Sequence, residues 1–133
     1  MAHRQLYFLI LALGFVLGSR AAWAHHSPAA EFDPDVPVKV TGTIQRVEWQ
    51  NPHVWFFVNV AEEDGSVTTW GFSTWPPGLL MRRGVTKEVL TIGAVVNVEG
   101  ARARDGSNNS STRSLTFADG SAVLGTREDY LGR

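Results

Sequence analysis

The sequence predicts an all-β protein, a small five-stranded barrel with one short helix between its third and fourth strands. Three observations support this prediction. Apolar and polar residues alternate over several short runs, which is the pattern of half-buried strands. Prolines and Asp-Gly pairs separate these runs, as turns do. The 133 residues include no cysteine, so packing of aromatic and branched side chains must stabilise the fold without disulfides.

The first 24 residues have the organisation of a cleavable export signal. A short start with Arg4 precedes an apolar run at 6–18, and small residues follow up to Ala24. The run is shorter than the roughly 20 residues that a membrane-spanning helix needs. We therefore expect a signal-peptide helix within residues 1–24, cleavage after Ala24 and a periplasmic or secreted protein. Cleavage after Ala22 is one alternative, and an uncleaved anchor, suggested by Arg20 near the cleavage site, is another.

The residues after the signal divide into an arm, a domain and a tail. Residues 25–37 are rich in proline and lack an apolar period, which predicts an extended N-terminal arm. The barrel domain is expected at 38–126, and a C-terminal tail at 127–133. In the first strand, predicted at 38–49, the apolar residues change parity between Ile44 and Val47. This change indicates a β-bulge, where one strand bends to serve two sides of a barrel.

Turn residues separate the remaining predicted elements. Asp64-Gly65 is a hairpin signal, because the glycine supplies the positive φ that a tight turn needs. The helix follows consecutive prolines and should be interrupted at Gly84. We expect strand two at 54–60, strand three at 66–75, the helix at 79–90, strand four at 94–103, a polar loop at 104–112 and a last strand or hairpin at 113–124.

This order of elements is that of the OB barrel, in which the helix lies between strands three and four. A small open sandwich is the alternative. In an OB barrel, the loop after strand one and the loop between strands four and five flank a common binding face. The candidate ligand-binding residues at this face are Asn51, Trp55, Arg102, Arg104, Asn108 and Arg113.

Histidines suggest a metal site. Cleavage after Ala24 would leave His25 as the first residue, with an α-amine and an imidazole that can chelate one ion. His53 lies in the loop after strand one, within reach of an arm that spans up to about 45 Å when extended. Nitrogen ligands of this kind suit copper, so we predict a Cu(II) site at His25 and His53, with His26 as a further ligand. Alternatively, the arm's histidines have no fixed partner.

The sequence lacks the common catalytic motifs. It contains no G-x-S-x-G elbow, no H-E-x-x-H and no phosphate-binding glycine loop. We therefore expect a non-enzymatic binding protein, and copper-dependent oxidase activity is the minor alternative. A second alternative is a metal-free module that binds an envelope protein or glycan through the barrel face and the 104–112 loop.

The balance of basic and acidic residues indicates which classes of partner to expect. Lys and Arg number 12 against 13 Asp and Glu, so the chain lacks the basic excess with which nucleic-acid binders neutralise phosphates. On this basis we expect no nucleic-acid partner. The expected partners are a metal ion and a component of the periplasm or envelope.

Several segments carry a resemblance that covers nearly all of the chain after the signal. HHSPAAEFD at the predicted new amino terminus, NPHVW and LMRRG resemble a family of small exported bacterial proteins classed as a domain of unknown function. The resemblance implies export and a protein of about this size, and it brings no activity, cofactor or catalytic residue. More distantly, the layout is similar to periplasmic OB-fold proteins, some of which bind copper. The chain lacks the methionine cluster of the copper-chaperone type.

Overall fold

The computed structural model describes residues 28–125. The predicted signal peptide and Ala24, the candidate ligands His25 and His26, and the predicted tail at 127–133 lie outside this range. Within it, no helix is long and apolar enough to cross a membrane. The elements are α1 (Pro28–Glu31), β1 (Phe32–Glu48), β2 (Trp55–Ala61), β3 (Val67–Ser73), α2 (Pro77–Arg82), β4 (Val95–Ala103), β5 (Asn109–Ser111), β6 (Ser114–Phe117) and β7 (Ala122–Leu124).

Five strands close into a barrel. Strand β1 pairs antiparallel with both β2 and β4, and β2 pairs antiparallel with β3. Strand β5 closes the ring, because it pairs parallel with β3 and antiparallel with β4. The order around the barrel is therefore β1-β2-β3-β5-β4 and back to β1. This closure, with α2 between β3 and β4, confirms the OB-like barrel rather than the open sandwich.

Strand β1 bends as its change of parity predicted. Its first part pairs with β4 as far as Thr43, and the same residue begins the pairing with β2. The register shifts between Ile44 and Arg46, which is the predicted bulge. The strand begins at Phe32 rather than at residue 38, so the last part of the predicted arm is paired with β4.

The barrel interior is a single apolar core. Phe56 and Phe72 stack with their ring centroids 5.3 Å apart, and Leu80 of α2 is fully buried in the same cluster. Helix α2 ends at Arg82, and Gly84 takes a φ of +81° that turns the chain, which confirms the interruption predicted within 79–90. The other fully buried apolar side chains of this interior core are Ile44, Val54, Val58, Val96, Val98 and Leu115.

The closing strand differs from the prediction. Residues 104–112 were expected to form one polar loop, but their second half contains β5. Ser110 is fully buried there, and its hydroxyl donates to the carbonyl of Ala101 at 3.0 Å. Residues 113–124, predicted as a last strand or hairpin, form the hairpin β6–β7, which is attached to the edge of β4. Polar residues can therefore form this closing strand because their hydroxyls are satisfied by backbone groups.

A second apolar cluster lies apart from the interior core. It consists of Phe32, Ala101 and Ala103, with Trp55 packed against them, and we call these four residues the outer cluster. Phe32 is paired with Ala103 across the β1–β4 ladder, so their side chains lie on the same face. The outer cluster therefore holds the first residue of β1 on the outside of the barrel, where Trp55 of β2 also lies.

Three turns share the sequence Asp-Gly-Ser and one geometry. In the turns that begin at Asp64, Asp105 and Asp119, the aspartate Oδ1 accepts from the serine backbone N–H at 2.9, 2.9 and 2.8 Å. The glycine between them has a φ of +84°, +79° or +85°. The first turn is the β2–β3 hairpin predicted from Asp64-Gly65.

Candidate functional site

His53 lies where the chain enters β2. The next residue, Val54, is fully buried, and its N–H donates to the carbonyl of Trp75 at 3.1 Å. Its carbonyl accepts from the N–H of Thr74 at 2.9 Å, so the β2–β3 pairing extends beyond the strand itself. Because side chains alternate along an extended chain, His53 shares the outer face with Trp55. The imidazole is half-buried, and its Nδ1 lies 3.5 Å from the hydroxyl of Ser73.

The amino-terminal side of the described chain lies against the loop after β4. The N–H of Arg104 donates to the carbonyl of Glu31 at 2.9 Å. The Arg104 guanidinium also forms an ion pair with Asp33, with Nη1 and Oδ2 3.0 Å apart. Between these two contacts, Phe32 lies in the outer cluster together with Trp55. The start of β1 therefore lies on the face that carries Trp55, two residues after His53.

The predicted ligand-binding arginines have defined neighbours. Arg102 donates from Nη2 to the carbonyl of Gly106 at 2.8 Å, and its guanidinium lies 5.6 Å from the ring centroid of Trp70. It therefore anchors the loop after β4 on the barrel, while Arg104 holds the start of β1. Both line a cavity of about 290 Å³ beside a second register shift of β1, which lies between Asp33 and Pro37 in its pairing with β4. The lining residues are Asp33, Val36, Arg102, Ala103, Arg104 and Gly106.

The other predicted residues are less constrained. The side chains of Asn51, Asn108 and Arg113 are exposed, and none makes a side-chain hydrogen bond or ion pair within residues 28–125. The backbone carbonyl of Asn108 accepts from the N–H of Gly71 at 2.9 Å, so this residue helps to join β3 to the closing strand. The structure thus brings His53 and Trp55 to one face and Arg102 and Arg104 to one cavity. The side chains of the three residues named above are exposed to solvent.

Sequence reasoning missed an aromatic surface next to the outer cluster. Phe57 stacks with Trp55 at a centroid distance of 6.4 Å, and the Arg46 guanidinium lies 3.8 Å from the Phe57 ring centroid. Opposite Phe57 on β3 is Gly71, where a Cβ would collide with the side-chain oxygen of Asn109. We call Arg46, Trp55, Phe57, Gly71 and Asn109 the aromatic face. The alternation of Trp55 and Phe57 was a visible signal, but the contact of Arg46 depends on the β1–β2 register.

No group of three or more His, Cys, Asp or Glu side chains that could hold a metal occurs among residues 28–125. His53 is the one histidine in that range. A copper site of the predicted composition would therefore draw its other ligands from His25 and His26, which lie outside the described residues.

The family of the chain follows from its sequence. Residues 14–112 match the model of a family of unknown function, DUF6152. The chain belongs to this family. Membership confirms the resemblance to an uncharacterised family that the NPHVW and LMRRG segments suggested. No curated protein matches the chain.

Two solved structures show a distant likeness to this chain. The mitochondrial single-stranded DNA-binding protein of S. cerevisiae is 13% identical, with a TM-score of 0.49, over 66% of this chain and 95% of that protein. The N-terminal domain of PriB from Thermoanaerobacter tencongensis, a dimeric structure, is also 13% identical, with a TM-score of 0.47, over 63% of this chain and 97% of that domain.

One expectation about partners is corrected by this comparison. The charge balance was interpreted as excluding nucleic acid, but the yeast neighbour is a single-stranded DNA-binding protein. The exclusion was wrong, because a near-neutral net charge does not prevent a local basic or aromatic surface from binding a nucleic acid strand. At such low identity the likeness concerns the fold, and the ligand of this chain must be argued from its own residues.

Proposed function

We propose that this DUF6152 protein is an exported, non-enzymatic Cu(II)-binding protein. After cleavage behind Ala24, the α-amine and imidazole of His25 would chelate the ion, and the imidazole of His53 would supply a third nitrogen. His26 is available as a further ligand. The protein would buffer or deliver copper in the periplasm.

The observation that carries this proposal is the position of the outer cluster. It fixes Phe32 on the face that bears Trp55, and His53 precedes Trp55 by two residues. The predicted new amino terminus, His25, precedes α1 by three residues in the sequence, and three extended residues span about 10 Å. The short sequence distances from His25 to Phe32 and from His53 to Trp55 support the proposal that the two ligands can reach one ion.

The ligand set explains the preference for copper. An amine and two imidazoles are borderline nitrogen donors, and Cu(II) binds such sites more tightly than the other divalent first-row metals. Linking the two halves of the site through a short, anchored segment raises the effective concentration of one ligand at the other. A site built in this way would bind copper far more tightly than a lone surface histidine.

The proposal is tested by Cu(II) titration of exported protein, with mass spectrometry confirming His25 as residue one. We expect one equivalent of tightly bound Cu(II) with a nitrogen-rich paramagnetic resonance spectrum. Protein that retains an added methionine before His25 should lose about 10²–10⁴-fold in affinity, because its α-amine no longer completes the chelate. His53→Gln should change the spectrum and weaken binding.

A matched control comes from the far end of β2. Glu63→Gln alters an exposed side chain in the β2–β3 hairpin and should leave copper affinity unchanged. Equal affinity in protein with a blocked α-amine would contradict the chelate. An unchanged spectrum in His53→Gln would confine copper to the arm and remove the barrel from the site.

A second candidate function is favoured by the aromatic face. Stacked Trp55 and Phe57, the Arg46 guanidinium and the neighbouring Asn109 amide combine a flat apolar surface with polar groups. Proteins use such surfaces to stack sugars or bases, and OB barrels bind ligands on the outer surface of strands two and three. In this proposal the protein is a metal-free module that binds an envelope glycan or protein.

Ligand binding to this face can be measured by tryptophan fluorescence. The probes are a soluble peptidoglycan fragment and an oligothymidylate, which separate glycan from nucleic acid. Phe57→Ala should abolish binding of the glycan probe, whereas His53→Gln should not. Binding that survives in Phe57→Ala would contradict this candidate, and binding of the oligothymidylate alone would replace the glycan with a nucleic acid.

A further inference from the structure

We infer that the Asn109 carboxamide binds the hydroxyl groups of a neutral sugar on the aromatic face, and that Gly71 positions this carboxamide by having no side chain. The inference rests on the second candidate function, since it names the ligand class of that face and a residue that recognises it. Three features of the described chain carry it: a row of paired residues across four strands, a carboxamide without a partner, and a balanced charge.

Four residues of the aromatic face form one row across the barrel wall. Arg46 of β1 is paired with Phe57 of β2. Phe57 is in turn paired with Gly71 of β3, and Gly71 with Asn109 of β5. Residues paired in neighbouring strands lie on the same face of a sheet, so this row lies outside the barrel, where Phe57 stacks with Trp55.

Gly71 leaves a space that the side chain of Asn109 occupies. A Cβ at position 71 would lie 2.4 Å from Asn109 Oδ1 and 3.2 Å from a ring carbon of Phe57. Both distances are shorter than a favourable contact between non-bonded atoms, so a side chain at position 71 would displace the carboxamide. The glycine therefore brings the carboxamide and the Phe57 ring together on the surface.

The Asn109 carboxamide has unused hydrogen-bonding capacity. Its side chain makes no hydrogen bond within residues 28–125, although the residue is half-buried. In that range the buried side-chain polar atoms without a partner are the hydroxyls of Ser107 and Thr112, so the carboxamide reaches solvent. A primary amide has two N–H donors and one acceptor oxygen in a plane. It can therefore both donate to and accept from a ligand on the aromatic face.

The charges of this surface match a neutral ligand. The Arg46 guanidinium lies over the Phe57 ring and forms an ion pair with Glu48, two residues along β1 on the same face. Two residues beyond Phe57 on β2, Asn59 accepts from the Thr69 hydroxyl at 2.8 Å. Phosphates of a nucleic acid strand require unpaired cations. A sugar requires a ring for its apolar face and neutral groups for its hydroxyls, and this surface offers both.

The test is a titration of the exported protein with chitotriose, a neutral oligosaccharide, followed by tryptophan fluorescence. The wild type should bind it, and Asn109→Ala should lose about 10-fold in affinity, as expected for a lost hydrogen bond. Gly71→Ala should lose a similar factor, because its Cβ displaces the carboxamide. The double variant should bind no more weakly than either single variant, since both changes remove one interaction.

Two measurements guard against structural effects. Urea denaturation should show that Gly71→Ala is folded, because the atom closest to its Cβ is the end of a flexible side chain. Asn97→Ala is the matched control. It removes an amide on β4 that accepts from the Thr41 hydroxyl at 2.7 Å, and its affinity for chitotriose should equal that of the wild type.

The outcomes distinguish the inference from the candidate function. Wild-type affinity in Asn109→Ala would overturn the role of that residue, and additive losses in the double variant would overturn the role of Gly71. Binding of a soluble peptidoglycan fragment but not of chitotriose would overturn the neutral-sugar inference and leave the second candidate function in place. Binding of an oligothymidylate alone would replace the sugar with a nucleic acid. Wild-type protein that binds none of the three probes would overturn the candidate function and the inference together.

Discussion

The interior core and the outer cluster bury aromatic rings in different surroundings. Inside the barrel, Phe56 and Phe72 are fully buried among branched side chains contributed by β1, β2 and β4. Outside, Phe32 and Trp55 lie with Ala101 and Ala103, two residues with the smallest apolar side chain. Many contacts support each ring in the interior, whereas the outer cluster depends on two large side chains over a surface of small ones.

Because of this difference, we expect the interior core to determine the stability of the barrel and the outer cluster to determine the position of the start of β1. The interior core joins all parts of the barrel, so its loss should unfold the domain. The outer cluster joins the first residue of β1 to the start of β2, and therefore to the neighbourhood of His53. Its loss should leave the barrel folded while releasing the amino-terminal segment. The two clusters can be tested against each other by removing one aromatic ring from each.

The largest effect on stability is expected from Phe56→Ala. Removing a fully buried ring that stacks on Phe72 should lower the free energy of unfolding by about 3–5 kcal/mol, because the interior core cannot collapse into the cavity. The measurement is urea denaturation followed by tryptophan fluorescence. The fraction that stays folded should bind Cu(II) with wild-type affinity. A loss below about 1 kcal/mol would contradict the tight interior.

Phe32→Ala should lower stability less than Phe56→Ala does, and it should lower copper affinity, which Phe56→Ala leaves unchanged. The outer cluster lies at the surface and can partly close over the missing ring, so we expect about 1.5–3 kcal/mol, the value of burial without a trapped cavity. Copper affinity should fall by up to about 10²-fold, because the amino-terminal segment is no longer held near His53. Phe32→Leu is the control that keeps an apolar contact. Wild-type affinity in Phe32→Ala would separate the outer cluster from the proposed site.

Gly100→Ala probes the boundary between the two clusters, where β4 meets the closing strand. A Cβ at this position would collide with the backbone carbonyl of Ser111 and with the Ser110 hydroxyl. We expect a loss of about 1–3 kcal/mol in urea denaturation, as for other overpacked positions. Gly78→Ala is the matched control, since its Cβ would lie 3.7 Å from the nearest atom, and it should be neutral or stabilising. Equal stability of the two variants would show that β5 can move away.

The interior core was the more predictable of the two clusters. Alternation placed Phe56, Val58 and Val96 on inward faces, and the change of parity after Ile44 located the bulge of β1. These are local signals, since they depend on neighbours within one strand. The closing strand β5 was missed because Ser110 and its neighbours are polar. Their burial depends on hydrogen bonds to β4, which lies elsewhere in the sequence.

The outer cluster and the aromatic face could not be predicted in the same way. Phe32 and Trp55 are far apart in the sequence, and their common position depends on barrel closure. The sequence did identify His53 and Trp55 as candidates, but it gave no reason to select Gly71 or Arg46. Contacts of this kind follow from the register between strands, which a single sequence specifies only weakly.

The smallest effect is expected in a turn that belongs to neither cluster. The hydroxyl of Ser121, followed by its backbone N–H, lowers the pKa of Asp119 from its ordinary value of 3.8. A lowered pKa in the folded state stabilises it above the unfolded pKa, and this stabilisation is lost as the pH falls through the folded pKa. Asp119→Ala should therefore lower the melting temperature slightly at neutral pH, and the difference from wild type should shrink at pH values below 3.8.

Asp119→Asn distinguishes the charge from the geometry of that turn. Asparagine keeps an oxygen that can accept from the Ser121 N–H, so it should retain most of the stability at neutral pH and lose the pH-dependent part. A difference between Asp119→Ala and wild type that stays constant down to low pH would contradict the role of the carboxylate. Because the β6–β7 hairpin lies outside the closed ring, neither variant should alter copper affinity, in contrast to Phe32→Ala.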